Sequence, residues 1–147
     1  VYSSKPLSYQ GQLIENFSVR FENGKAVEVH AEKNEALLQQ LITQDEGAAY
    51  LGECALIPYN SPINESGLIF YNTLFDENAS CHLALGMGFT NCIKDYDQYT
   101  LEQCREMGIN DSMVHEDFMI GTKDLDITAV TRDGKRVPIF RGGTWAF

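Results

Sequence analysis

The chain has 147 residues, 44% hydrophobic and 22% charged, the make-up of a folded globular protein that buries about two thirds of its unfolded surface. A formal net charge of −10 argues against nucleic acid and anionic membrane as partners, and no apolar run reaches membrane-spanning length. No signal-peptide pattern opens the chain, and Cys54, Cys81, Cys92 and Cys104 form no C-x-x-C pair; reduced thiols and a cytoplasmic setting are expected rather than a cysteine zinc site.

Residues 13–21 alternate, with Leu13, Glu15, Phe17, Val19 and Phe21 on one face of a predicted strand. Asn23-Gly24 turns the chain, and residues 26–30 return with His30 on a solvated face. Residues 32–44 are predicted helical, because Leu37, Leu38, Leu41 and Ile42 form one stripe, and Gly47 follows as a terminator. Residues 49–58 are apolar on both faces, which predicts a central strand in which Cys54 behaves as a small hydrophobe. Residues 68–71 read as a short strand and 72–80 as a loop or single helical turn. Residues 81–85 are a short apolar strand carrying His82. After a polar loop at 90–99, Thr100 caps a predicted helix over 100–107. A strand at 113–120 and a hairpin of 125–131 with 136–140 around Asp133-Gly134 complete the set. The expected architecture is α+β: a mixed, largely antiparallel sheet with two main helices packed on it, as a single domain over residues 1–147.

Four polar residues stand out against this pattern. In the 113–120 strand, alternation puts His115 and Asp117 on one face between Met113 and Met119. A simple His–Asp hydrogen bond accounts for that pair, and so does a bound divalent cation. Glu53 is a lone carboxylate in an otherwise apolar strand, so it must be protonated, salt-bridged or bound to metal. His82 is either a satisfied core histidine or a ligand. Together they make two imidazoles and two carboxylates from strands, a donor set that suits zinc, cobalt or manganese.

Several blocks of the chain carry a resemblance. They are Tyr50-Leu51-Gly52-Glu53, the run Asn72-Thr73-Leu74-Phe75-Asp76-Glu77-Asn78-Ala79-Ser80-Cys81-His82, the run Val114-His115-Glu116-Asp117-Phe118, and the ending Arg141-Gly142-Gly143-Thr144-Trp145-Ala146-Phe147. They resemble the signature blocks of the thermophilic-type metallo-aminopeptidase family. The resemblance implies a cytoplasmic, homodimeric hydrolase that removes N-terminal residues from peptides through water activated by two divalent metal ions. It implies Glu53, His82, His115 and Asp117 as metal ligands, and leaves the general base unassigned. Asp76, Glu77 and Asn78 are candidates for contacts around the metals or with the substrate amine, set against plain loop capping.

Family members are more than twice as long, so the chain is expected to be their carboxy-terminal catalytic half. It would then lack the N-terminal domain and one upstream glutamate ligand, and would be weakly active or inactive alone. Phe89 stands where the family commonly has a tyrosine near the metals. Glu116 replaces a small apolar residue but should point away from the ligands. Met113, Met119 and Phe89 suggest apolar walls for a hydrophobic first residue. The competing expectation is a non-catalytic dimerisation or binding domain that retains the fold.

Overall fold

A computed structural model describes residues 1–147 as an α+β fold of three small antiparallel sheets and four short helices. The first sheet contains β1 (Leu7–Tyr9), β2 (Gln12–Glu22) and β3 (Lys25–Lys33), with α1 (Glu35–Leu41) against it. The β2–β3 turn places Asn23 and Gly24 both at positive φ, 50° and 81°, the conformation that Asn-Gly adopts at least cost. Strict alternation fails twice in this hairpin. Asn16 has a φ of 49°, and the phase changes there, so that Ile14 is buried with Phe17 and Val19 rather than opposite them. A bulge opposite Arg20 and Phe21 also leaves Val27 exposed, out of phase with buried Val29. His30 is exposed, as expected, and pairs with Glu28.

The second sheet has the order β4 (Leu51–Ala55), β5 (His82–Gly86), β6 (His115–Met119). This corrects the expectation for residues 49–58: β4 is an edge strand, and β5 is central. Apolar character on both faces does not specify neighbours on both edges. Cys54 is accordingly exposed rather than packed as a core hydrophobe. A bulge between Leu51 and Glu53 sets Leu51 opposite Leu85 and Glu53 opposite Ala84, so the two fall on different faces instead of sharing one. Gly52 permits this, because a Cβ there would lie 2.3 Å from the Met87 carbonyl oxygen.

Leu83, Leu85 and Phe118 face the main hydrophobic cluster. They meet Leu7, Ile14, Phe17, Val19 and Val29 of the first sheet and Leu37, Leu38 and Leu41 of α1. The Phe17 and Phe118 rings pack at 5.6 Å. Backbone bonds from Ala26 N to Ala49 O and from Leu51 N to Gly24 O join the two sheets at the hairpin turn.

Residues 68–71 form no strand. They lead into α3 (Thr73–Asp76), which follows the short α2 (Pro62–Glu65). A backbone held at the two N–H groups of Phe70 and Asn72 by the Asp76 carboxylate is a capped turn, not a ladder. α4 (Leu101–Glu106) begins with the capping box of Thr100 and Gln103. The third sheet, β7 (Ile127–Val130), β8 (Arg136–Arg141) and β9 (Thr144–Trp145), stands apart from the other two. No helix is long and apolar enough to cross a membrane.

Candidate metal centre

The face of the second sheet opposite the core carries the polar cluster. Glu53 and Asp117 both lie opposite Ala84, His82 opposite Met119 and Ala55, and His115 opposite Gly86. The small residues Ala84 and Gly86 in the central strand leave room between the two carboxylates and the two imidazoles. His82 and Asp117 side chains are 4% and 6% exposed, and Glu53 and His115 close the outer side of the cluster.

Each imidazole is fixed from behind. His82 Nδ1 lies 3.1 Å from the Ser80 carbonyl oxygen and His115 Nδ1 lies 2.6 Å from that of Met87. A carbonyl can only accept, so each Nδ1 donates and each Nε2 turns into the cluster. His82 Nε2 is 3.4 Å from Glu53 Oε1 and 3.9 Å from Asp117 Oδ1. His115 Nε2 is 3.6 Å from Glu53 Oε2 and 3.5 Å from Asp117 Oδ2. Each carboxylate thus offers one oxygen to each histidine.

These separations exceed a good hydrogen bond. They match donors sharing a cation: ligands about 2.0–2.1 Å from a tetrahedral zinc lie roughly 3.3 Å from one another. Donor atoms of Glu53, His82 and Asp117 all fall within 4.8 Å of one another. Asp117 Oδ1 is also buried with no hydrogen-bond partner. A buried carboxylate oxygen without a partner is costly, and a cation would compensate it. The donor set therefore fits a divalent metal.

Protonation in the metal-free state follows the same geometry. The Asp117 carboxylate beside it, with the Met87 carbonyl behind, pushes His115 up to about 9 against the cost of burial. Burial would raise Asp117, but the neighbouring imidazoles outweigh it and hold the carboxyl below its usual range. The metal-free cluster therefore holds an imidazolium between carboxylates. Because His115 is raised from 6.5 to about 9, its contribution to metal-free stability is full below pH 6.5 and lost as pH rises through 9. Cation uptake needs the neutral ring, so affinity changes in the opposite sense and rises across the same window. Thermal melts of metal-free protein and zinc titrations from pH 6 to 10 should show these opposing slopes; parallel slopes would contradict the pairing.

The other candidates separate clearly. Asp76 is buried and caps backbone N–H groups, and the Asn78 amide donates to the Leu74 carbonyl oxygen at 3.0 Å; both serve the loop. Glu77 reaches the cluster instead. Burial and then the charge of Asp117 raise its pKa, with Glu53 acting in the same sense. The Phe89 ring packs on the His115 ring at 4.7 Å. Met119 is buried, but Met113 is 94% exposed and forms no wall, because β6 begins only at His115. Sequence reasoning missed the carbonyls of Ser80 and Met87, which leave no side-chain signature. It also missed Thr73, whose hydroxyl donates to Glu116 Oε1 at 3.0 Å.

This is an α+β protein whose sheet carries donors of the kind that hold divalent cations. The chain belongs to the thermophilic metalloprotease (M29) family, whose pattern matches residues 1–145. It is 55% identical over 147 residues to aminopeptidase AmpS of Bacillus subtilis (strain 168), covering all of this chain and 36% of that relative. It is 51% identical over 147 residues to aminopeptidase 2 of Geobacillus stearothermophilus, again covering all of this chain and 36% of the relative. The solved structure of wild-type AmpT from Thermus thermophilus superposes with a TM-score of 0.87 at 44% identity, covering 100% of this chain and 36% of that one. The chain thus spans about a third of the length of these relatives.

Proposed function

We propose that the chain is the metal-binding part of an aminopeptidase, with Glu53, His82, His115 and Asp117 as ligands to two divalent ions. The observation that carries this reading is the double row of facing donors. Each imidazole Nε2 meets one oxygen of Glu53 and one of Asp117, all at 3.4–3.9 Å. Two cation positions, each with one nitrogen and two oxygens, arise from that arrangement. Zinc, cobalt and manganese all suit it.

Divalent ions bound there would polarise a peptide carbonyl and lower the pKa of a water. The chain's own residues do the rest. Ser80 and Met87 carbonyls hold both rings in the tautomer that presents Nε2. Glu53 and Asp117 bring negative charge to both positions and tie them together. Glu77 adds a carboxylate beside Asp117, placed to contact a further ligand or a substrate amine. Phe89 brings an apolar ring to the same mouth, where it favours a hydrophobic first residue. The general base is not assigned to a residue of this chain.

A peptide substrate, a homodimer, a cytoplasmic setting and completion by the remainder of the relatives' length are parts of the same proposal. Phe89 favours one other reading: without a hydroxyl beside His115, the fold could serve binding or dimerisation rather than catalysis. Metal analysis and turnover of aminoacyl p-nitroanilides decide between them. The expected result is uptake of divalent metal with little turnover by the 147-residue chain, and metal-dependent turnover once it is joined to the rest of a relative's sequence. No metal uptake in either form would overturn the proposal. Uptake without turnover in both would favour the binding reading.

A further inference from the structure

Residues 72–79 lead to the 3-10 turn Glu77–Ala79, which packs on β6 and sets Glu77 within reach of the Asp117 charge. Little apolar packing holds them there: Leu74 is 76% exposed, and Tyr71 and Phe75 are exposed as well. The segment is instead fastened by hydrogen bonds. At its end, Ser61 Oγ donates to the Ala79 carbonyl at 2.8 Å. At its start, the Thr73 hydroxyl donates to Glu116 Oε1 at 3.0 Å, across 43 residues of chain. Internally it is stiff, because Asn72 caps α3 and the Asp76 carboxylate holds the preceding backbone.

Thr73 and Glu77 lie one helical turn apart and so project to the same side. Both sit against β6: Thr73 donates to Glu116, and the 3-10 turn Glu77–Ala79 packs on the strand, where burial and the charge of Asp117 raise the Glu77 carboxyl. Glu116 is turned to the face opposite the ligands and paired across the ladder with Leu85. No other side-chain hydrogen bond is made to its carboxylate. A half-buried carboxylate with a single hydroxyl donor is poorly compensated for a purely structural residue.

From this juxtaposition we infer that Thr73 and Glu116 are a positioning pair, which docks the 72–79 segment on β6 and so sets the Glu77 carboxylate beside Asp117. The inference rests on the cluster being a metal site only for its functional consequence; the docking itself holds without metal. Loss of the pair frees Glu77 to swing toward solvent. The cluster would then keep its ligands but lose one surrounding carboxylate, a change that typically costs about 10–100-fold in metal affinity.

The test uses Thr73→Val and Glu116→Leu, with Thr73→Ser and Glu116→Gln as variants that keep the hydrogen bond. Amide hydrogen exchange of residues 75–77 is followed in the metal-free chain, and cobalt affinity and its visible absorption are measured alongside. Thr73→Val and Glu116→Leu should each speed exchange in this segment by about tenfold with the β5 and β6 amides unchanged. The double variant should be no worse than either single, and both conservative variants should stay near the parent. Cobalt affinity should follow the same order. Unchanged exchange in Thr73→Val, or equal loss in Thr73→Ser, would overturn the inference. Faster exchange in a chain whose parent takes up no cobalt would uphold the docking and overturn the metal site alone.

Discussion

Replacing Asp117 by alanine is expected to abolish tight metal binding while leaving the metal-free fold intact. The Asp117 side chain faces both histidines, with Oδ1 3.9 Å from His82 Nε2 and Oδ2 3.5 Å from His115 Nε2. One substitution therefore removes a donor from both cation positions. Loss of an outer partner alone costs about 10–100-fold in affinity, so loss of a shared ligand should exceed a hundredfold. The metal-free chain should stay folded, losing the stability that the His115–Asp117 pairing adds below about pH 9 while shedding a buried oxygen that has no hydrogen-bond partner. His115 should also lose the partner that raises its pKa to about 9 and titrate closer to 6.5. Imidazole NMR and zinc calorimetry on the same sample read both effects. Parent-like zinc stoichiometry and affinity in Asp117→Ala would defeat the ligand assignment. His82→Ala should lose metal as well, while turning one ring pocket into a small cavity.

Phe118→Ala is expected to be the most destabilising single truncation in the second sheet. The side chain is 1% exposed and backs the cation cluster from the core side of β6, against Phe17 at 5.6 Å. Truncation of a buried phenylalanine costs about 3–5 kcal/mol in lost transfer energy and cavity. A total stability of about 5–15 kcal/mol leaves little beyond that. The urea midpoint should fall sharply, and the thermal midpoint by roughly 10 °C or more. Folded molecules that remain should still bind metal, because Asp117 and His115 point to the other face. A cost under about 1 kcal/mol would show that β6 does not rest on the first sheet as described.

Much of this was legible in residues. Asn23-Gly24, the leucine stripe of α1 and the Thr100 cap mark local conformations set by local chemistry. His115 and Asp117 share a face because two residues is the strand repeat. Alternation could not reveal the phase change at Asn16 or the bulges at Val27 and Gly52, since a period of two assumes an unbroken, uniform ladder. It could not show β4 as an edge either, because apolar faces say nothing about which backbone edges are paired. Around the cluster, Glu77 could not be told from Asp76 and Asn78, because the phase of a single helical turn depends on the loop that precedes it. The carbonyls of Ser80 and Met87 were invisible for a simpler reason: every residue has one.

The separateness of the third sheet has a consequence for modularity. β7–β9 place no residue in the main core cluster, and buried Phe140 packs edge-on against Trp145, its partner across the ladder, at 4.5 Å. Every residue of the cation cluster lies earlier in the chain, the last being Asp117. The sheet is tied to the segment after β4 by the Tyr59 N–H, which donates to the Gly143 carbonyl at 2.7 Å, whereas its far turn has open space around Gly134 and can open locally. Proteolytic nicking in the Asp133-Gly134 turn would leave the histidines and carboxylates in register, and insertions at that turn should be borne for the same reason.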